Sequence, residues 1–252
     1  FYGKHSSSEP SPKRWDRPVS KSQNGVLINQ GWKMASAGLA AVWAPQNTRE
    51  GIFDAMQRKE TYATTGPRIQ LRMFASWAYD DALLSTHSWL KTAYMNGVPM
   101  GGTLLLDQSH QTIKSPTFLI NAIKDPMGAN LDRAQIIKGW IDQDGELHET
   151  VFNVAWSGDR KLDANGKLNE VGNTVDVANA TYTNAIGSEE FLITWQDPTY
   201  QANQKSFYYT RILEIPTPRW TAYDAKKFAQ TLPDGVSMIV TERAYSSAIW
   251  VN

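Results

Sequence analysis

Two arginines are the residues of this chain whose chemistry suits holding a substrate, Arg68 ahead of Arg49. A guanidinium can clamp a phosphate or sulfate through two parallel hydrogen bonds. Arg68 stands beside a Gly66-Pro67 turn, where a loop would present it, whereas Arg49 opens a helical pattern and a surface ion pair is its ordinary fate. Metal chemistry has less to work with. The four histidines, His5, His87, His110 and His148, are isolated, and no two are close enough in sequence to make a local ligand pair. There is no Cys, which excludes disulfides and thiolate metal sites.

Other patterns reduce to turns or to chance. Asp163-Ala-Asn165-Gly166 has the flavour of a calcium loop, but a twelve-residue loop would need acids where Lys161 and Gly172 stand, so the segment reads as a turn. Gly101-Gly102 lacks the helix signal and the Lys-Ser/Thr pair of a phosphate loop, and no Gly-x-Ser-x-Gly elbow occurs. Asn179-Ala-Thr181 fits a glycosylation triplet, which is a common pattern. Ten Trp and ten Tyr leave a sugar-binding surface open as an alternative, because exposed rings can stack on sugars. Trp43, Trp140, Trp156 and Trp195 fall in strand-like runs and are expected in the core; Trp15, Trp77, Trp89 and Trp220 lie in loop-like surroundings.

The elements that must position these groups are mostly strands. Asn47, followed by Glu50, reads as a capping box that starts a helix. Ile52, Phe53, Ala55 and Met56 share one side of that helix, with Arg58 and Lys59 at its end. The apolar run 39–43 before it suits a buried strand and 61–64 after it is β-prone, giving a strand–helix–strand unit. Beyond Gly66 the pattern changes to strands separated by turn clusters, as in an antiparallel sandwich. The expected strands are 70–74, 117–123, 134–141, 149–155, 191–195, 207–214, 238–245 and 247–251, with hairpin turns at Asp144-Gly145 and Asn165-Gly166 and a short helix over 224–232. Residues 1–36 look irregular, and a boundary falls near residues 66–70.

Lys plus Arg and Asp plus Glu each number 25, so no basic surplus argues for a nucleic-acid partner. No apolar stretch approaches the roughly 20 residues of a membrane span.

The stretch 47–69, Asn-Thr-Arg-Glu-Gly-Ile-Phe-Asp-Ala-Met-Gln-Arg-Lys-Glu-Thr-Tyr-Ala-Thr-Thr-Gly-Pro-Arg-Ile, closely resembles the late part of a bacterial family related to the PHP (polymerase and histidinol phosphatase) metallohydrolases, labelled only as domain of unknown function 3604. Further matching strings follow in order: Gly97-Val-Pro-Met-Gly-Gly102, Leu131-Asp-Arg-Ala-Gln-Ile-Ile-Lys-Gly139, Val154-Ala-Trp-Ser-Gly-Asp-Arg160, Phe207-Tyr-Tyr-Thr-Arg-Ile-Leu-Glu-Ile-Pro-Thr-Pro-Arg-Trp220 and Ala244-Tyr-Ser-Ser-Ala-Ile-Trp250. The resemblance implies an α+β, mainly β fold: residues 1–68 as the C-terminal remnant of a PHP-like α/β barrel, and residues 69–252 as an antiparallel β-sandwich. It implies a metal-dependent hydrolase of phosphate or sulfate esters using a divalent metal (Zn, Mn or Fe), which would lower the pKa of a bound water. The His-x-His and Asp-x-His motifs that hold the metal in such proteins do not occur here. The chain is therefore expected to be the C-terminal piece of a longer polypeptide, inactive alone, with the N-terminal fragment as its partner and a periplasmic or secreted location. Phe1-Tyr-Gly-Lys-His5 resembles the segment that follows Asp-x-His, which makes His5 a catalytic candidate and Lys4 a substrate-binding one beside Arg68 and Arg49. The alternative is an accessory carbohydrate-binding or structural sandwich without catalysis.

Overall fold

A computed structural model describes residues 10–35, 37–106, 115–202 and 204–252. Strands β1 (Pro18–Lys21) and β2 (Leu27–Gln30) form a small hairpin, after which β3 (Leu39–Val42) leads through helix α1 (Arg49–Gln57) to β4 (Thr61–Thr64). There follow β5 (Gln70–Ser76), helix α2 (Trp89–Asn96), β6 (Val98–Pro99), β7 (Thr103–Leu104), β8 (Thr117–Ile123), β9 (Leu131–Ile141), β10 (Leu147–Trp156) and β11 (Glu190–Gln196). The chain ends with β12 (Ser206–Glu214), β13 (Thr217–Pro218), helix α3 (Trp220–Lys227), β14 (Ile239–Val240), β15 (Arg243–Ser246) and β16 (Ile249–Val251).

The larger sheet has eight strands in the order β10-β9-β12-β15-β4-β3, with β16 beside β12 and β7 beside β16; the smaller has the order β11-β8-β5-β6. Every neighbouring pair is antiparallel except β16 with β7. Leu71, Met73, Phe118 and Ile120 of the smaller sheet meet Ile136, Tyr208, Ile212 and Ala244 of the larger in one buried core. This is the mainly β, two-layer arrangement expected. Among the described residues neither sheet closes into a barrel, and no helix is long and apolar enough to cross a membrane.

Strand β12 shows why the sequence folds this way. Ser206, Tyr208, Thr210, Ile212 and Glu214 are buried, while Phe207, Tyr209, Arg211 and Leu213 point outward half-covered, the period-two alternation of a sheet with one face on the core. At the hairpin turns, Gly145 (φ 84°) and Gly166 (φ 75°) take the left-handed conformation that a side chain resists. The carboxylate of Asp163 accepts from the N–H groups of Asn165 and Lys167 at 2.8 and 2.9 Å, so the calcium-like string is a turn stabilised by its own acid.

Several local expectations are corrected. Thr48, not Asn47, caps α1, its Oγ1 accepting from the Gly51 N–H at 3.1 Å. Thr48→Ala is accordingly expected to lower stability by about 1 kcal/mol in urea titration, with Asn47→Ala near neutral. On α1 only Ala55 is buried, and Phe53 and Met56 are exposed. β3 is an edge strand rather than a buried one, with Leu39 open to solvent. The expected helix over 224–232 begins earlier, at Trp220, and ends at Lys227. The single strand expected over 238–245 is broken into β14 and β15 by Thr241 and Glu242. The boundary expected near residues 66–70 is the corner at which the chain passes from the larger sheet (β4) to the smaller (β5). β3 and β4 themselves continue the larger sheet through the β4·β15 pairing.

Candidate functional site

The break between β14 and β15 and the end of β12 meet at one corner of the sandwich. The ladder of β12 with β9 skips Asp132, an extra residue on β9, so Leu213 faces Arg133 while Glu214 faces Leu131 and keeps the inward alternation of β12. Against β15, Leu213 faces Arg243, and the next step places Glu214 opposite Glu242, its N–H donating to the Glu242 carbonyl at 3.0 Å. Directly opposed residues project to the same face of a sheet with Cβ atoms about 5 Å apart. Two carboxyl groups are thus cross-strand neighbours.

Their environments differ. Glu214 is 2% exposed, and its Oε1 has no hydrogen-bond partner. Burial, then the charges of Glu242 and Asp125, push its carboxyl up to about 8 against the opposing pull of Lys124, so it is largely a neutral acid at pH 7. Glu242 is only half-buried and its Oε2 accepts from the hydroxyl of Thr65, whose Oγ1 in turn accepts from the Arg243 N–H at 2.9 Å. Asp125 accepts from the backbone N–H groups of Arg68 at 2.7 Å and Met127 at 2.9 Å. Burial alone would raise the Asp125 carboxyl, but these hydrogen bonds outweigh it and hold the group below the usual range. Nearby, the Asn130 Nδ2 donates to the carbonyls of Asn184 and Ile186, leaving its buried Oδ1 without a donor. Two buried acceptors without donors therefore lie close to the end of β12.

Two clefts flank the carboxyl pair and share Val240 and Thr241. The larger, about 560 Å³, is lined by Thr65, Arg219, Trp220, Tyr223, Glu242 and Arg243 among others. The smaller, about 310 Å³, has Glu214 in its wall with Arg133 and Glu170. The wall of the larger cleft is held from behind: the Arg219 Nη2 and Trp220 Nε1 donate to the Met34 carbonyl at 2.7 and 3.0 Å. Arg14 forms a buried two-point ion pair with Asp224 of α3 and lies 4.8 Å over the Trp220 ring. In the smaller cleft, Asp132 is neutralised by Arg133 at 2.8 Å and Arg160 at 2.6 Å.

A family model described as "Protein of unknown function (DUF3604)" matches residues 1–252. The chain belongs to this family. No curated protein and no solved structure matches it.

Of the residues predicted to form a site in this DUF3604 chain, Lys4 and His5 lie outside the described residues. Arg49 is the exposed first residue of α1, which leaves the Val42–Thr61 end of the β3·β4 pair. Arg68 is exposed beyond Thr64, at the other end of that pair, so the two arginines do not converge. Arg68 does reach the corner described above: its N–H holds Asp125, and Thr65, three residues before it, lines the larger cleft. Sequence reasoning missed Glu214, Glu242 and Arg243. One signal was available for the first, since continuing the buried alternation of Tyr208, Thr210 and Ile212 puts an acid at an inward position. A divalent metal does not fit the described residues, among which no group of three or more His, Cys, Asp or Glu could hold one. His87 is exposed, and His148 is engaged with Asp142 at 2.6 Å and stacked on Trp140.

Proposed function

We propose that this DUF3604 chain forms the oxyanion-binding cleft of a hydrolase acting on phosphate or sulfate esters, as the C-terminal part of a PHP-like enzyme whose metal ligands lie outside the described residues. The observation that carries this reading is the larger cleft, where Arg219 and Arg243 stand beside an aromatic wall of Trp220 and Tyr223. Guanidinium groups suit the non-bridging oxygens of such an ester, and an aromatic wall suits the alcohol side. No catalytic step is assigned to a metal, because the described residues supply no ligand set for one. The test is calorimetric titration of the chain with phenyl phosphate and inorganic sulfate. Binding is expected, and Arg243→Ala is expected to weaken it about tenfold, the worth of one charge-assisted hydrogen bond. Equal affinity in the variant, or no binding by the wild type, overturns the reading.

A sugar-binding module is the second reading, and one surface favours it. The loop tryptophans do not: Trp15, Trp77, Trp89 and Trp220 are all half-buried, and Trp77 donates to the Leu105 carbonyl and packs on Tyr200. On the outer face of the larger sheet, however, Trp250 is 48% exposed and lies 5.3 Å from Phe207, which stacks in turn on Tyr209. Retardation of the chain in gels containing soluble polysaccharide, lost on Trp250→Ala, would support this reading.

A further inference from the structure

We propose that Glu214 and Glu242 form a one-proton carboxyl pair that couples the binding of an oxyanion in the adjoining cleft to the uptake of a proton. This inference rests on the oxyanion-cleft reading and adds a second component to that site.

Three observations carry it. The β12·β15 register sets the two side chains opposite each other on one face, where two negative charges repel. Glu214 is almost wholly buried and its Oε1 has no partner, an arrangement costly for an ionised carboxylate and tolerable for an acid that carries a donor of its own. The pair also spans both clefts, Glu242 in the wall of the arginine-lined one and Glu214 in the wall of the smaller.

The charges around the pair fix the direction of the coupling. Glu242 and Asp125 disfavour an ionised Glu214, Lys124 is the cation that opposes them, and the nearby Tyr182 phenol is itself raised by burial and by the Glu214 charge. In the smaller cleft Arg133 is already spent on Asp132, while Glu170 adds another negative charge. Beside Glu242, Arg243 is the exposed cation left to meet an anion. Glu242 and Arg243 line the same cleft, so a dianion bound there brings negative charge up to Glu242, and the pair relieves the repulsion by holding a proton more tightly. The environment already keeps Glu214 neutral to about pH 8, so the coupling acts in the mildly alkaline range. Because binding and protonation are linked reciprocally, the affinity for the anion must fall as the proton is lost.

Inorganic sulfate is the probe, since it stays a dianion throughout this range and any proton taken up belongs to the protein. Calorimetry in buffers of different ionisation enthalpy is expected to show uptake of up to one proton near pH 9 and little near pH 6. Affinity is expected to fall by up to about tenfold per pH unit above the midpoint of the pair, the limit for one linked proton. In Glu214→Gln sulfate should still bind through Arg243, but without the proton. Infrared titration of the carboxyl groups gives a readout independent of any ligand. The wild type should keep a protonated carboxylic acid at pH 7 that is absent from Glu214→Gln and that titrates at lower pH in Glu242→Gln. Uptake unchanged in Glu214→Gln, or an infrared midpoint unmoved by Glu242→Gln, overturns the proposal. Wild type that shows the infrared signature but binds no sulfate overturns the coupling and the oxyanion-cleft reading together. Pairing of the carboxyl groups would survive that result as a property of the fold alone.

Discussion

Asp197→Ala is expected to lower folding stability by about 3–5 kcal/mol, measured by urea unfolding at pH 7. Asp197 follows β11 of the smaller sheet and meets Lys138 of β9 in the larger one, at 2.7 Å, with both side chains essentially out of contact with water. The Lys138 ammonium also donates to the carbonyl and hydroxyl of Thr199 at 3.0 and 3.1 Å, and the Tyr208 hydroxyl donates to Asp197 at 2.8 Å. Desolvation alone would raise the Asp197 carboxyl. The hydrogen bonds from Lys138, the Thr199 backbone, Tyr208 and the Thr199 hydroxyl together outweigh it and hold the carboxyl below its usual range. A depressed acid contributes stability above its unfolded pKa and loses it as the pH falls through the folded one, so this clamp is an acid-labile feature. Removing Asp197 strands an ammonium in the core, which explains the size of the effect. Replacing both charges, Lys138→Met with Asp197→Leu, should recover most of the loss, because a buried pair contributes little over well-packed apolar groups. A loss below about 1 kcal/mol in Asp197→Ala would show that the core admits enough water to solvate Lys138.

What the sequence made legible was whatever depends on neighbours along the chain. The strand predicted over 117–123 spans the same residues in the structure, because a largely apolar, β-prone run between a Pro and a Lys-Asp-Pro turn leaves little choice. Strand β12 was equally plain from its run of aromatic and β-branched residues. Local competition spoiled finer detail at α1, where Thr48 won the cap from Asn47. Periodicity made Phe53 and Met56 look like core, yet the helix lies against the edge pair β3·β4 and buries only Ala55. The site was illegible for a different reason. Thr65 reaches Glu242 across 177 residues, and the opposition of Glu242 to Glu214 exists only through the register of β12 and β15. Residue type singled out Arg68 for its guanidinium, whereas the contact it makes at that corner is through its backbone N–H, to Asp125.

Glu214→Gln is expected to remove a fall in folding stability that the wild type shows as the pH rises. In the folded chain the Glu214 carboxyl holds its proton to about pH 8, against an ordinary value of 4.5. Between those limits the folded state binds a proton that the unfolded state has released, so stability must fall as the pH rises, by up to about 1.4 kcal/mol per unit. Above the folded pKa the full penalty of several kcal/mol applies, and below the unfolded one it vanishes. Glutamine keeps the shape and cannot ionise, so the variant lacks this slope. Unfolding free energies measured from pH 5 to pH 9 should therefore diverge, the variant gaining on the wild type by several kcal/mol at the alkaline end. Loss of the Glu214–Glu242 repulsion acts in the same direction, since a neutral amide beside Glu242 leaves only one charge on that face of the sheet. Curves that stay parallel across the range would mean that Glu214 is solvated when ionised. Its buried Oε1 would then have water as a partner.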